Sequence, residues 1–111
     1  MEFDSNKPIY IQIADNICDR MLTGEFKSGE RIPSVREWAA QIGVNPNTVA
    51  RAFDILSDKG IISNRRGMGF FVTDDALEII RSNERKKFIE EELPAFLKRA
   101  ELLEIELKSL I

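Results

Sequence analysis

The sequence predicts an α+β fold that is mainly helical, in which three helices and a β-hairpin precede a short helical tail. Before residue 60, apolar residues recur at helical spacing in three separate stretches. Two short β-rich runs then flank a glycine-containing loop, and after residue 73 the helical pattern returns. We therefore expect one domain over residues 1–73 and a helical region over residues 74–111.

The first helix is predicted to run from Pro8 to the vicinity of Gly24. Proline suits the first position of a helix, because its missing N–H needs no partner there. One face carries apolar residues at a spacing of four, namely Ile9, Ile13, Ile17 and Met21. The glycines and proline between Gly24 and Pro33 predict a turn, with a short extended piece at Arg31 and Ile32.

The second helix is predicted from the signals at its two ends. Ser34 and Glu37 have the spacing of a capping box, in which each side chain accepts a hydrogen bond from the other residue's N–H. Gly43 supplies the left-handed residue that stops the helix, which therefore covers residues 35–42. Its apolar face consists of Val35, Trp38, Ala39 and Ile42.

The third helix follows after a very short connection. Asn45 is a good N-cap and Pro46 a good first residue for a helix that runs to about Lys59, just before Gly60. Only Val44 separates this cap from the end of the second helix. Two helices joined by so tight a turn are typical of a helix-turn-helix motif.

The β-rich runs IISN and GFFV, separated by RRGM, predict a hairpin at residues 61–72 with Arg65 and Arg66 at its tip. Three helices followed by a hairpin make a winged helix-turn-helix. In that arrangement the second helix of the motif enters the DNA major groove by its N-terminal turn. Recognition by residues 46–59 and the hairpin wing is therefore the function that the pattern favours.

The charge distribution supports a DNA partner although the net charge is −3. Residues 1–26 carry 2 basic and 5 acidic residues, and residues 74–111 carry 7 and 10, which gives −3 in both cases. Residues 27–73 carry 7 basic and 4 acidic residues, which gives +3. Because the positive charge is concentrated in the helix-turn-helix and the hairpin, these residues are the predicted nucleic-acid interface.

Polar side chains at the start of the third helix are the first candidate contacts. Asn45, Asn47 and Thr48 can donate to and accept from phosphates or base edges, and free N–H groups at a helix N-terminus favour phosphate. Arg51, one turn further on, can reach a phosphate or a guanine edge. The alternative is that this stretch is only a helix cap and a solvated face.

Arginines provide the remaining candidates. Arg36 lies in the first turn of the second helix, where the helix dipole disfavours a cation, so its place there suggests a role outside the fold. Arg65 and Arg66, beside Gly67, can follow a phosphate strand or enter the minor groove. The alternatives are a surface arginine without a role and charged protection of an edge strand.

The tail predicts an interface between copies of the chain. Its apolar pattern, interrupted by Pro94, has more apolar surface than two isolated helices can cover, and a second copy is the simplest partner. The candidate interface residues are Phe88, Ile89, Phe96, Leu97, Leu103 and Leu107. Such a dimer would place two recognition helices about one DNA turn apart, as an inverted repeat requires.

The residue inventory excludes several functions. The chain has no histidine and one cysteine, Cys18, which we expect to be a small, largely buried residue. Zinc sites, histidine catalysis and cofactors are therefore not expected, and no stretch resembles a signal peptide or a membrane span, so we expect a cytoplasmic protein. Two rival functions stay open: a winged helix that binds protein, and a nucleic-acid enzyme. For the second, Glu90–Glu92 indicate a solvated helix face rather than a metal site.

Four blocks of sequence, PIYIQIADNI, GERIPSVREWA, GVNPNTVARAF and RRGMGFFV, resemble the GntR family of bacterial transcriptional regulators over residues 8 to 72. The short helical tail resembles the YtrA-type subfamily. The resemblance implies a homodimeric repressor of an inverted-repeat operator. It also implies DNA contacts by residues 36, 45, 47, 48, 66 and 67, here Arg36, Asn45, Asn47, Thr48, Arg66 and Gly67.

Two departures from the family bear on function. Ala50 stands where relatives commonly carry an arginine that reads guanine, and the neighbouring Arg51 points about a hundred degrees further around the helix. The 38 residues of the tail are too few to enclose a metabolite, so an effector stays unknown. The resemblance leads us to expect that a transporter operon is regulated.

Overall fold

The computed structural model describes residues 2–111 and confirms the mainly helical α+β fold. Its elements are α1 (Ile9–Leu22), α2 (Val35–Ile42), α3 (Pro46–Asp58), β1 (Ile62–Arg65), β2 (Gly69–Val72), α4 (Ala76–Lys87), a π-helical turn (Phe88–Glu92), α5 (Leu93–Leu102) and a 3₁₀ turn (Leu107–Ser109). The chain forms two compact units, of which the first ends at Ile80 and the second is Arg81–Ile111.

Local capping explains where α2 and α3 begin and end. The Ser34 hydroxyl accepts from the Glu37 N–H at 3.1 Å, and the Glu37 carboxylate accepts from the Ser34 N–H at 3.1 Å, so the predicted capping box is confirmed. Gly43 ends α2 in the left-handed conformation, at φ 70°. Asn45 caps α3 as predicted, and α3 ends one residue before the predicted Lys59.

The first unit has one apolar core, to which α1, α2, α3, the hairpin and the start of α4 contribute. The buried stripe of α1 is Ile13, Ile17 and Met21, as predicted, but Ile9 is 44% exposed because the stripe begins one turn later. Pro8 is the N-cap rather than the first helical residue. Cys18 is half-buried against this core.

Aromatic contacts fix the wing and α2 against the core. The rings of Phe53 in α3 and Phe70 in β2 meet edge to face, with centroids 4.9 Å apart. The Arg20 guanidinium at the end of α1 stacks on Trp38 of α2, with Cζ 4.6 Å from the ring centroid. Its hydrogen bonds to Glu25 raise the pKa of Arg20, so this cation stays charged.

The hairpin is antiparallel, with Ile62 opposite Val72 and Arg65 opposite Gly69. The predicted extended piece before α2 is confirmed, because Arg31 forms a bridge with Phe71 and the Ile32 N–H donates to the Phe70 carbonyl at 3.0 Å. Arg65 belongs to β1, so it was wrong to place it in the turn. The turn contains only residues 66–68, because the strand pairing continues to Gly69.

The second unit is helical up to Leu102. The π-helical turn comes directly before Pro94, whose ring cannot donate to the preceding turn, so the predicted irregularity at this proline is confirmed. The helical region predicted over residues 74–111 is interrupted after Leu102, since Glu104 adopts φ 56° and ends α5. Leu103 therefore caps α5, and Leu107 lies half-buried in the 3₁₀ turn.

Candidate nucleic-acid interface

The first turn of α3 presents side chains rather than backbone donors. The Asn47 N–H donates to the Asn45 Oδ1 at 2.8 Å, and the Thr48 N–H donates to the Asn45 carbonyl at 3.0 Å. Pro46 has no N–H, so the free backbone donors expected at this helix tip are absent or already used. The Asn45 and Asn47 side chains are exposed and Thr48 is half-buried. Their amide and hydroxyl groups are what this tip can offer to a base or a phosphate.

Arg51 lies on the same face of α3 as Asn47 and Thr48, because it follows them by four and three residues. Its guanidinium stacks on Tyr10 of α1, with Cζ 4.1 Å from the ring centroid. Tyr10 is half-buried and packs against the core, so it restricts where the exposed Arg51 head can point. Ala50 beside it is half-buried and carries no polar group.

Arg36 is the second residue of α2 and its side chain is exposed. The next residue, Glu37, is occupied by the capping box. The hydrogen bonds that it accepts from Ser34, together with the charge of Arg31, hold the pKa of the Glu37 carboxyl below its usual value. The Glu37 carboxylate therefore stabilises the start of α2, whereas the Arg36 side chain is exposed to solvent.

Arg31 joins the wing turn to the start of α2. Its Nε donates to the Met68 carbonyl at 3.1 Å, and its Nη2 lies 3.4 Å from the Glu37 Oε1. Gly69 allows this approach, because a Cβ there would lie 2.8 Å from the Arg31 Nε and its φ is 110°. The sequence analysis placed Arg31 only in an extended piece and gave it no part in the site.

The wing turn exposes Arg66 and Gly67. The Met68 N–H donates to the Arg65 carbonyl at 2.8 Å, and Gly67 adopts φ 77°, which a side chain at that position would oppose. Arg65 stacks on Phe71, with Cζ 4.2 Å from the ring centroid, so its guanidinium lies over the sheet. Within residues 2–111, no hydrogen bond or ion pair joins the α3 tip to this turn.

Three sets of side chains are thus exposed on the first unit: the α3 tip, Arg36 and the wing turn. Between residues 2 and 111 there is no cluster of metal-binding side chains and no helix with the length and apolarity of a membrane span. A helix-turn-helix whose second helix begins with exposed amides, followed by a basic hairpin, defines a winged helix-turn-helix protein of the DNA-binding class.

Comparison with known proteins gives the family. Residues 9–72 match the model of the bacterial regulatory proteins of the gntR family, which is more than half of the chain. The chain therefore belongs to the GntR family, and it is a DNA-binding transcriptional regulator rather than an enzyme.

Two relatives from Bacillus subtilis match most of the chain. The chain is 43% identical over 98 residues to the uncharacterized HTH-type transcriptional regulator YhcF of Bacillus subtilis, covering 88% of this chain and 79% of that protein. It is 36% identical over 106 residues to the HTH-type transcriptional repressor YtrA of the same organism, covering 96% and 81%. These similarities support membership of the YtrA-type subfamily.

Solved structures agree with this assignment. A GntR family transcriptional regulator from Listeria monocytogenes superposes with a TM-score of 0.80 at 34% identity, covering 97% of this chain and 93% of that one. The AraR DNA-binding domain, solved in complex with operator ORR3, superposes with a TM-score of 0.59 at 29% identity. It covers 66% of this chain and 86% of the AraR domain.

Proposed function

We propose that the chain is a homodimeric repressor in which each copy reads one half of an inverted-repeat operator. The first unit supplies DNA binding and the second supplies dimerisation. One observation carries the proposal: the first unit has a buried apolar core, yet the Asn47 side-chain amide in the first turn of its second motif helix is exposed and makes no hydrogen bond within residues 2–111. The relative named as a repressor supports the direction of regulation.

Each candidate residue has a role that follows from its position. Asn45, Asn47 and Thr48 enter the major groove and read base edges, with Arg51 behind them in the orientation that Tyr10 gives it. Phosphate contacts come from Arg36, and Arg66 and Gly67 of the wing turn follow the adjacent backbone or minor groove. Arg65, stacked on Phe71, contributes a fixed positive charge beside the wing turn.

Dimerisation is supported by the second unit. Phe88, Ile89, Phe96, Leu97 and Leu103 are large apolar side chains that remain exposed, and Leu107 is half-buried. A second copy would cover this surface and would repeat the DNA-binding unit with two-fold symmetry. An inverted-repeat operator has the same symmetry.

Selection of bound sequences from a library of random DNA duplexes tests sequence-specific binding without knowledge of the operator. We expect the recovered duplexes to contain an inverted repeat, to bind two chains each and to lose affinity steeply with salt. Recovered sequences without two-fold symmetry, or complexes with one chain per duplex, would contradict the proposal.

Two variants separate the kinds of contact. Arg36→Ala should weaken binding to all duplexes and reduce the salt dependence, because a phosphate contact carries no sequence information. Asn47→Ala should alter the preference among duplexes, by roughly 1 to 3 kcal/mol per lost base contact. Lys98→Ala, which removes an exposed positive charge from the second unit, is the control and should leave both properties unchanged.

A further inference from the structure

The residues on the two sides of Phe88 and Ile89 carry opposite charges. Three basic residues precede this apolar pair, Arg85, Lys86 and Lys87, and three acidic residues follow it, Glu90, Glu91 and Glu92. The two triads are therefore placed symmetrically about the midpoint between residues 88 and 89. Both lie in the second unit, at the end of α4 and in the π-helical turn.

The apolar pair at the centre is uncovered. The exposed fraction is 51% for Phe88 and 54% for Ile89. Across residues 2–111, none of the six charged side chains takes part in an ion pair within the chain, since the three ion pairs there join residues of the first unit. The triads thus have no partner within the chain that would account for their order.

Pairing along one helix explains this order poorly. Lys86 and Glu90 are four residues apart, as are Lys87 and Glu91, but a basic residue that precedes an acidic one is the weaker orientation for such a pair. Pairing between two antiparallel copies does not depend on this orientation.

We propose that two copies of the chain cross antiparallel at Phe88 and Ile89, so that Arg85 of each copy faces Glu92 of the other. This inference rests on the proposed homodimer and specifies its register. A two-fold contact brings residue i opposite j and j opposite i. With the axis between residues 88 and 89, Arg85 faces Glu92 of the second copy, and the same pair forms again on the other side.

Helix geometry selects which charges face the second copy. Arg85, in α4, precedes Phe88 by three residues and Ile89 by four, so it flanks the apolar pair on its own face. Glu92 ends the π-helical turn, in which neighbours on one face are four to five positions apart, so it lies beside Phe88. Glu90 is one and two positions away from the pair and points to another face. Glu90 therefore offers a matched control for Glu92, with the same change of charge at a position outside the contact.

Charge reversal in the full-length protein tests the register. Arg85→Glu alone and Glu92→Arg alone each place like charges opposite each other twice per dimer, and each should weaken the dimer on the order of tenfold. The double variant R85E/E92R restores both pairs and should dimerise like the original chain. An equimolar mixture of the two single variants should form heterodimers, because every facing pair is then complementary.

Sedimentation velocity over a concentration series, with circular dichroism to verify helicity, gives the readout. Glu90→Arg should leave the dimer intact. Equal weakening by Glu90→Arg and Glu92→Arg, or a mixture without heterodimers, would overturn the register while leaving the homodimer in place. An original chain that stays monomeric at micromolar concentration would overturn the homodimer itself.

Discussion

Large apolar side chains have opposite surroundings in the two units. In the first, Trp38 and Phe53 are 1% exposed, whereas in the second Phe96 is 59% exposed and Leu102 68%. The first unit therefore completes its own core and leaves polar groups for the surface. The second has only Ala100 fully buried and leaves its larger apolar residues uncovered. Exposed apolar surface of this kind marks an interaction site, which supports the proposed division of recognition and assembly between the two units.

Substitution of one phenylalanine in each unit should show this contrast most strongly. Phe53→Ala should lower the free energy of unfolding by about 3 to 5 kcal/mol, because it leaves a cavity beside Phe70. Phe96→Ala should change the unfolding of the first unit by less than about 0.5 kcal/mol. Urea unfolding followed by fluorescence of Trp38, the only tryptophan, measures both.

Protein concentration distinguishes the two effects further. The loss of unfolding free energy in Phe53→Ala should be the same at all protein concentrations. Any effect of Phe96→Ala should appear as a shift of the urea midpoint that depends on protein concentration, because this substitution acts through assembly. Equal losses from both variants at every concentration would contradict the division between the units.

Short-range signals made most of the fold predictable. The capping box of Ser34 and Glu37, the Asn45 cap and the left-handed Gly43 each depend on residues within three positions of one another. The ends of α2 and α3 can therefore be predicted from the residues next to them. The class of protein followed from their order together with the hairpin.

Contacts between distant parts of the chain were not predictable. Arg31 and Met68 are 37 positions apart, and Tyr10 meets Arg51 only because α1 packs on α3. No local pattern distinguishes either arginine from other surface arginines. Arg65 was assigned to the turn because the strand's extent depends on its pairing with Gly69. The end of α5 was missed because apolar spacing continues past Leu102 although the backbone turns at Glu104.

Gly69→Ala should disturb the wing. The substitution costs about 1 to 3 kcal/mol of stability for an unfavourable φ, and its Cβ displaces the Arg31 side chain from the Met68 carbonyl. We expect DNA affinity to fall as well, because the wing turn loses its hydrogen bond to Arg31. Gly24→Ala is the control, because Gly24 has a similarly unfavourable φ of 85° but an added Cβ there would have no neighbouring atom within 4 Å. A parallel loss of DNA affinity in Gly24→Ala would show that stability alone explains the effect.

Replacement of Tyr10 tests how Arg51 is oriented. Tyr10→Leu removes the ring under the guanidinium and should weaken DNA binding by about 0.5 to 1 kcal/mol, whereas Tyr10→Phe keeps the ring and should bind normally. Fluorescence anisotropy with a selected duplex measures the difference. In the Arg51→Ala background Tyr10→Leu should have no further effect, and an additive loss would mean that Tyr10 acts independently of Arg51.

The smallest expected effect is the pH dependence of the capping box. The pKa of Glu37 is lower in the folded chain, so its stabilisation is fully present above the unfolded pKa, about 4.3, and is lost as the pH falls through the folded value. The difference in Tm between the original chain and Glu37→Gln should therefore be positive at pH 7 and shrink towards pH 3. Glu84→Gln, at an exposed position of α4, controls for the loss of one negative charge. If the difference for Glu37→Gln were constant over this range, the carboxylate's charge would contribute nothing to the cap, and the amide would serve α2 equally well.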